Sequence, residues 1–120
     1  MKTRYVISRY SGTKKEIKFN VRVARLIARM VLDDGFIPIV PHIYFTQFLD
    51  DRNHYEHNKG TQIALDLLRE SDCVTLVIID GQISEGMQAE IKCANELGKT
   101  VQVMQFSKAG IKKLLRKSGV

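Results

Sequence analysis

A glutamate in apolar surroundings is the residue of this sequence best suited to chemistry. Glu90 lies next to Ile91 and three residues after Met87, and a carboxylate with such neighbours is atypical of a solvated helix face. Gly86 precedes it by four residues and therefore lies on the same helical face, where the missing side chain leaves room for a ligand above the carboxylate. The pattern predicts a nucleophile or a general base, and an ordinary partly exposed glutamate is the alternative.

Ser84 is placed to cap the helix that carries Glu90. A serine at an N-cap leaves backbone N–H groups and the positive end of the helix dipole directed at a neighbouring ligand. An anionic group of a ligand is therefore expected at Ser84, with Met87 as an apolar wall beside it.

A second polar segment, residues 8–12, follows the first predicted strand. It offers two hydroxyls, a guanidinium and a flexible glycine backbone, from Ser8, Ser11, Arg9 and Gly12. These groups are the components of a phosphate cradle. Short polar loops after strands are also common in proteins that bind no phosphate, so the segment supports phosphate binding only together with Ser84.

All three histidines fall within residues 41–58, a stretch of 18 residues without a convincing pattern. Irregular segments of this length in compact domains usually have a function. His54 and His57 are three residues apart, which puts two imidazoles on one helical turn, and Asp50 or Asp51 would add a carboxylate to a metal site. Loop histidines that bind nothing are far commoner, so we predict no metal and no cofactor.

Strand patterns alternate with helical patterns, which predicts an α/β domain with a parallel sheet. Four strands are expected, at residues 4–8, 36–40, 73–79 and 100–104. The third is almost wholly apolar, as expected of a central strand covered on both faces. The second contains Pro38, which cannot donate to the sheet and indicates an edge strand. A length of 120 residues favours a single domain over residues 1–120.

Four helices are predicted, at residues 20–34, 61–71, 84–97 and 107–117. Asn20 is expected to cap the first and Gly35 to end it in a left-handed conformation. Arg22, Arg25 and Arg29 form a solvated stripe on that helix, opposite an apolar face. The stripe lacks interleaved aromatic residues, so nucleic-acid binding is not expected.

Ligands of open parallel α/β sheets bind beyond the carboxyl ends of the strands. The segments predicted at that edge are residues 8–12, residues 41–42 with the long stretch after them, and residues 80–90. His42 is therefore expected to share one site with Ser84 and Glu90.

The net charge of +6 is unevenly distributed along the chain. Residues 1–30 carry nine Lys or Arg against Glu16 alone, whereas residues 31–57 carry Arg52 against five acids. Such asymmetry favours an anionic partner, either a nucleic acid or a phosphorylated small molecule. Two cysteines in apolar or helical patterns indicate unpaired thiols, and no apolar run is long enough for a signal peptide or a membrane span, which favours a cytoplasmic protein.

The sequence resembles the nucleoside 2-deoxyribosyltransferase superfamily over most of its length. The similarity is carried by residues 5–12, the helix containing Asn20, residues 37–42, Asp72 and residues 84–90. Residues 44–51 and 83–90 are similar to those of its small uncharacterised bacterial and phage members. The resemblance implies a Rossmann-like (flavodoxin-like) three-layer sandwich with four to five parallel strands, and a homodimer or larger homo-oligomer.

The resemblance also implies roles for two residues. The family glutamate that matches Glu90 attacks the anomeric carbon of a nucleoside and forms a glycosyl-enzyme, which a second base or water resolves. The family tyrosine that matches Tyr5 lies near this glutamate and orients it.

Two departures from the family pattern modify this expectation. Family transferases place an aspartate for the sugar 5′-hydroxyl where this chain has Ser84, and a hydroxyl there favours a 5′-phosphate, as in the related nucleoside 5′-monophosphate N-glycosidases. The aspartate that assists the leaving base is replaced by Ala64, and the nearest acid is Asp66. The chain also ends sooner than typical transferases, which lend C-terminal residues to a neighbouring subunit's site.

These features predict a nucleotide or deoxynucleoside N-glycosidase or a 2-deoxyribosyltransferase, with hydrolysis preferred over transfer. The catalytic candidates are Glu90 and Tyr5, and the partner is a small-molecule nucleoside or nucleotide. The candidates for substrate binding are Ser8, Arg9, Ser11, Gly12, His42, Ser84, Gly86 and Met87. The alternative is a non-catalytic nucleotide-binding or sensing module of the same fold, favoured by the missing acid at Ala64.

Overall fold

Four parallel strands alternate with helices along the chain, and the structure, a computed structural model, describes every residue from 1 to 120. The strands are β1 (Thr3–Ile7), β2 (Ile37–Ile39), β3 (Cys73–Ile79) and β4 (Val101–Phe106). Their order across the sheet is β2-β1-β3-β4. The predicted central position of β3 and the edge position of the strand that contains Pro38 are both confirmed.

The chain also forms five helices. They are α1 (Lys14–Asp33), α2 (Pro41–Tyr44), α3 (His54–Glu70), α4 (Glu85–Glu96) and α5 (Lys108–Ser118), with a 3-10 turn at Phe45–Gln47. One hydrophobic core joins the sheet to α1 and α5, and a second joins it to α3 and α4. The molecule is therefore a three-layer α/β sandwich of the flavodoxin-like type, as predicted.

Alternation along β1 sends neighbouring side chains into different cores. Val6 packs with α1 and α5, whereas Tyr5 and Ile7 pack with α3 and α4. Met87 of α4 belongs to the same core as Tyr5. The strand therefore aims the Tyr5 side chain at the helix that carries Glu90.

The start of α1 differs from the prediction. Asn20 does not cap the helix but lies inside it, nearly buried, and its Nδ2 donates to the carbonyl oxygen of Tyr10 at 3.0 Å. The cap is Thr13, whose Oγ1 accepts from the backbone N–H of Glu16 at 3.2 Å while the Glu16 carboxylate accepts from the Thr13 N–H at 3.0 Å. This reciprocal pair satisfies two free backbone donors and therefore allows the helix to begin at Lys14, well before the predicted start. Gly35 follows the helix with a φ of +89°, as predicted.

The stretch of residues 41–58 is more regular than predicted. It contains α2, the 3-10 turn and the first residues of α3, which begins seven residues earlier than expected. Asn53 caps α3 by accepting from the backbone N–H of Glu56 at 3.2 Å, a signal that the apolar pattern alone does not contain. Edge-to-face contacts join Tyr44, Phe45 and Phe48, with ring centroids 5.0 to 5.7 Å apart.

The predictions of unpaired thiols and of exposed arginines on α1 agree with the structure. Cys73 and Cys93 are free thiols and partly buried. Arg25 and Arg29 are exposed on α1, and Arg29 pairs with Asp33 at 3.2 Å. No helix has both the length and the apolar character that crossing a membrane requires.

Candidate functional site

A cleft of about 200 Å³, larger than a neighbouring cavity of about 90 Å³, lies where β1, β2 and β3 end. Ser8 enters it directly after β1, His42 enters from α2 after β2, and residues 84–90 enter after β3. Further wall residues come from α3. The three segments predicted to converge at this edge of the sheet therefore line one cleft.

Most of the predicted site residues line this cleft, and three do not. Those that line it are Ser8, Ser11, His42, Ser84, Gly86, Met87 and Glu90. Tyr5 lies beneath it, fully buried, and reaches it only through Glu90. Arg9 and Gly12 do not line the cleft.

Glu90 is a nearly buried carboxylate, with 8% of the residue exposed. The Tyr5 hydroxyl donates a hydrogen bond to its Oε2, which leaves Oε1 without a protein donor. Burial raises the pKa of Glu90 to about 7, and this effect outweighs the opposite influence of the Tyr5 hydrogen bond. The carboxyl group therefore changes charge near neutral pH, which suits it to act as a nucleophile or base.

Tyr5 is a permanent hydrogen-bond donor to this carboxylate. Burial raises the pKa of the Tyr5 hydroxyl far above its ordinary value, and the charge of Glu90 raises it further. The hydroxyl consequently keeps its proton at every physiological pH. It fixes one carboxylate oxygen and leaves the other to face the cleft.

The first turn of α4 gives the cleft its shape. The Oγ of Ser84 accepts from the backbone N–H of Met87 at 3.3 Å, which caps the helix as predicted. Met87 is 1% exposed and forms an apolar floor. A Cβ added at Gly86 would meet no atom within 4 Å, so protein packing does not require glycine there. The space above Gly86 is open to a ligand.

Ser8 carries the one buried side-chain polar atom that has no hydrogen-bond partner. The residue is 4% exposed and lines both the larger cleft and the smaller cavity. A buried hydroxyl without a partner costs about 1 to 3 kcal/mol, so such groups usually have a ligand or water as their partner. Ser8 is therefore placed to bind a polar group in the cleft.

Tyr10 and His42 form an aromatic wall. Their rings stack with centroids 5.1 Å apart and an interplanar angle of 17°. The His42 Nε2–H donates to the Ser8 carbonyl oxygen at 3.2 Å. Burial lowers the pKa of His42, which favours the neutral ring. Tyr10 was not predicted from the sequence, because nothing in residues 8–12 indicates which side chains face the cleft.

The residues predicted to form a phosphate cradle do not all face the same cavity. Arg9 turns away from the larger cleft, with its guanidinium 3.3 Å from Gln82 Oε1 and 3.9 Å from Glu16 Oε2, and it lines the smaller cavity together with Lys108. Gly12 has a φ of +150°, and a Cβ there would lie 2.9 Å from the Glu16 Cβ. Glu16, the partner of Thr13 in the cap of α1, therefore lies against Arg9 and leaves no room for a side chain at Gly12. No Lys or Arg lines the larger cleft.

Asp51 and His57 line the cleft, although the sequence suggested only a metal site for them. The His57 Nδ1 lies 2.7 Å from Asp51 Oδ1. His54 lies outside the cleft, where Asn58 contacts its Nε2 at 3.2 Å. No group of three or more His, Cys, Asp or Glu residues is arranged to hold a metal ion. Recognising the cap at Asn53 would have placed His57 on the first turn of α3.

Ala64 lines the cleft at the position where the resemblance implies an acid. Asp66 does not replace it, because its carboxylate is exposed and accepts hydrogen bonds from Arg69 at 2.9 Å and Gln62 at 3.1 Å. No acid close to Ala64 in sequence therefore compensates for the missing carboxylate.

Comparison with known proteins relates the chain to one family and one fold. A family model described as "Domain of unknown function (DUF7768)" matches residues 2–104. No curated protein matches the sequence. Among solved structures, a 2-deoxyribosyltransferase from the psychrotolerant bacterium Bacillus psychrosaccharolyticus is similar with a TM-score of 0.71 and 14% identity, over 88% of this chain and 74% of that chain. That enzyme is described as a biocatalyst for the synthesis of nucleosides, and at this identity the similarity shows a shared fold.

Proposed function

The chain belongs to the DUF7768 family, whose description assigns no activity, and we propose that it cleaves the N-glycosidic bond of a nucleotide or deoxynucleoside, as a hydrolase or a 2-deoxyribosyltransferase. The observation that carries this proposal is the buried Glu90 carboxylate, held by Tyr5 at the edge of a cleft that is open above Gly86. The fold shared with a 2-deoxyribosyltransferase supports the same reaction class.

The geometry supports a double displacement at the anomeric carbon. Tyr5 engages Oε2 of Glu90, so Oε1 is available to attack the sugar from the cleft. The carboxylate also stabilises the positive charge that develops on the sugar in the transition state. The resulting ester is then resolved by water in a hydrolase or by a second nucleobase in a transferase.

The opposite end of the substrate is proposed to lie at Ser84 and Ser8. The N-terminus of α4 and the unpartnered Ser8 hydroxyl both suit an oxyanion. The charges of Arg9 and Lys108 in the smaller cavity are balanced there by Glu16 and Asp80, so the preference for an oxyanion depends on the helix terminus and on Ser8. These features favour a 5′-monophosphate over an uncharged nucleoside.

A substrate panel tests the proposal directly. Nucleosides and their 5′-monophosphates, with ribose and with 2-deoxyribose, are incubated with the protein, and free base is followed by chromatography. A second base added to the same reactions separates transfer from hydrolysis. Release of base that is lost in Glu90→Ala supports the proposal, whereas release at the same rate by Glu90→Ala contradicts it.

The preference for phosphate is expected to depend on Ser84. Ser84→Asp keeps an N-cap side chain but adds a negative charge, so KM for the 5′-monophosphate is expected to rise at least about tenfold relative to the matching nucleoside. Ser84→Asn is the neutral control of similar size and retains the cap. Equal KM ratios for the Asp and Asn variants would show that no phosphate binds at this helix terminus.

The pH dependence of the rate is expected to follow Glu90. Only the ionised carboxylate attacks, so kcat/KM should rise with pH through about 7. Tyr5→Phe removes a hydrogen bond that lowers the pKa of Glu90, and the rise should therefore move to higher pH. A rate that stays constant between about pH 5.5 and 8.5 would contradict the assignment of Glu90 as nucleophile.

A non-catalytic nucleotide-binding or sensing module is the second candidate. The observation that favours it is Ala64, which leaves the cleft without an acid at that position. Calorimetric binding of a nucleotide without release of base over hours would support this alternative. Release of base at any rate above that of Glu90→Ala would exclude it.

A further inference from the structure

Departure of the base is the step that the residues assigned so far do not explain. When the glycosidic bond breaks, its electron pair moves to the base, which is a poor leaving group unless it receives a proton. Glu90 is committed to the anomeric carbon. The other titratable side chains that line the cleft are Tyr10, His42, Asp51, Glu56 and His57.

Two of these five side chains are poor proton donors for structural reasons. The Nε2–H of His42 is bound to the Ser8 carbonyl, and its ring is stacked against Tyr10. Burial lowers the pKa of His42, so it carries no additional proton at neutral pH. Tyr10 holds its proton tightly, because burial and the charge of Asp51 raise its pKa.

His57 is arranged differently. Its Nδ1–H donates to the carboxylate of Asp51 at 2.7 Å, which fixes the ring orientation and gives the imidazolium form a counter-ion. Its Nε2 has no partner within the protein. Both side chains are about half exposed, so a ligand in the cleft can reach the ring.

We propose that His57, positioned by Asp51, is the general acid that protonates the departing base and the general base that activates water in the second step. This inference rests on the proposed function and names the proton donor that the cleft lacks at Ala64. Asp51 and His57 are six residues apart in the sequence, and the turn that precedes α3 brings their side chains together.

The proposed reaction has two steps, and each is balanced in atoms and charge. In the first, a Glu90 oxygen bonds to the anomeric carbon, the bond to the base breaks, and the Nε2 proton of the His57 imidazolium passes to the base. In the second, neutral His57 accepts a proton from water, the water oxygen bonds to the anomeric carbon, and the ester bond to Glu90 breaks. Glu90 is again a carboxylate and His57 again an imidazolium.

A substrate whose base can leave without receiving a proton distinguishes a general acid from a residue that only supports the structure. Guanosine 5′-monophosphate and its 7-methyl derivative, each with ribose and with 2-deoxyribose, are compared after subtraction of spontaneous release. The methylated base already carries the positive charge that protonation would supply. We expect His57→Gln to slow release of guanine at least about 100-fold and release of 7-methylguanine less than about fivefold.

His54→Gln is the matched control, because His54 lies on the same helical turn but outside the cleft. It is expected to cleave both substrates like the wild type. Glu56→Gln tests the remaining carboxylate of the cleft and is expected not to reproduce the leaving-group dependence of His57→Gln. Thermal unfolding of each variant checks that the fold is retained.

Asp51→Asn tests the positioning role. The carboxylate that orients the His57 ring is lost, so release of guanine is expected to slow by more than release of 7-methylguanine, an effect that a loss of stability alone would not produce.

The outcomes separate the two proposals. Loss of guanine release with retained 7-methylguanine release in His57→Gln supports the inference. Equal slowing of both substrates, or no slowing, overturns the inference and leaves the proposed function intact. A wild-type protein that releases no base from any nucleoside or nucleotide overturns the proposed function and this inference with it.

Discussion

Glu90→Ala is expected to lower the rate of base release by about 10⁴-fold or more, which is the order of loss found when the nucleophile of a covalent catalyst is removed. The reason is geometric as well as chemical. Tyr5 and the burial of Glu90 hold one carboxylate at the cleft, and no other carboxylate makes that contact. The measurement is single-turnover release of base with the best substrate of the panel.

Controls on the same helix separate chemistry from folding. Glu85→Gln changes an exposed glutamate of α4 that does not line the cleft, so it should retain the wild-type rate. Added formate or azide is expected to restore part of the activity of Glu90→Ala, because a small anion fits the space left by the side chain. Substantial activity in Glu90→Ala without such an anion would overturn the assignment.

Glu90→Gln is expected to be more stable than the wild type above pH 7, by about 3 kcal/mol. The folded protein holds the Glu90 proton up to about pH 7, whereas the unfolded chain releases it near the ordinary value of 4.5. Between these values the folded state binds more protons, so the contribution of Glu90 to stability is present below pH 4.5 and is lost as the pH rises to 7. The substituted glutamine is neutral throughout and still accepts the Tyr5 hydrogen bond.

Urea unfolding at several pH values between about 5 and 8 measures this difference. The stability gap between Glu90→Gln and the wild type is expected to grow with pH by up to about 1.4 kcal/mol per unit and to level off above pH 7. Glu85→Gln is the control and should follow the wild type, since its side chain is exposed. If the free energies of unfolding of Glu90→Gln and the wild type changed with pH in the same way, the buried Glu90 carboxylate would not destabilise the folded protein. Substitutions that remove a functional residue often stabilise the folded protein.

Local sequence patterns were sufficient for most of the architecture. The apolar run of β3, the cap at Ser84 and the helix stop before Gly98 depend on neighbours within a few residues, and each lies where it was predicted. Pro38 marks an edge strand for an equally local reason, because it has no N–H to donate. The predicted starts of α1 and α3 were wrong because the sequence pattern did not identify their capping residues, Thr13 and Asn53.

Contacts between distant segments decided the rest. Tyr5 and Glu90 are 85 residues apart and meet only because β1 and β3 are neighbours in the sheet. The resemblance to a known superfamily, not the pattern of residues, suggested that pair. The direction of Arg9, the unpartnered hydroxyl of Ser8 and the entry of His57 into the cleft follow from packing that no local pattern contains.

The sequence by itself therefore determined the type of element at most positions, since backbone propensity and capping are short-range properties, and it suggested Glu90 as the residue that we propose to attack. The tertiary structure alone decided the environment of that residue. Burial of Glu90, and with it a pKa of about 7, requires the sheet and α4 to exclude water together. The same assembly brings His57 and Asp51 to the cleft, because the distances between separate elements are set by the packed cores and not by the order of residues.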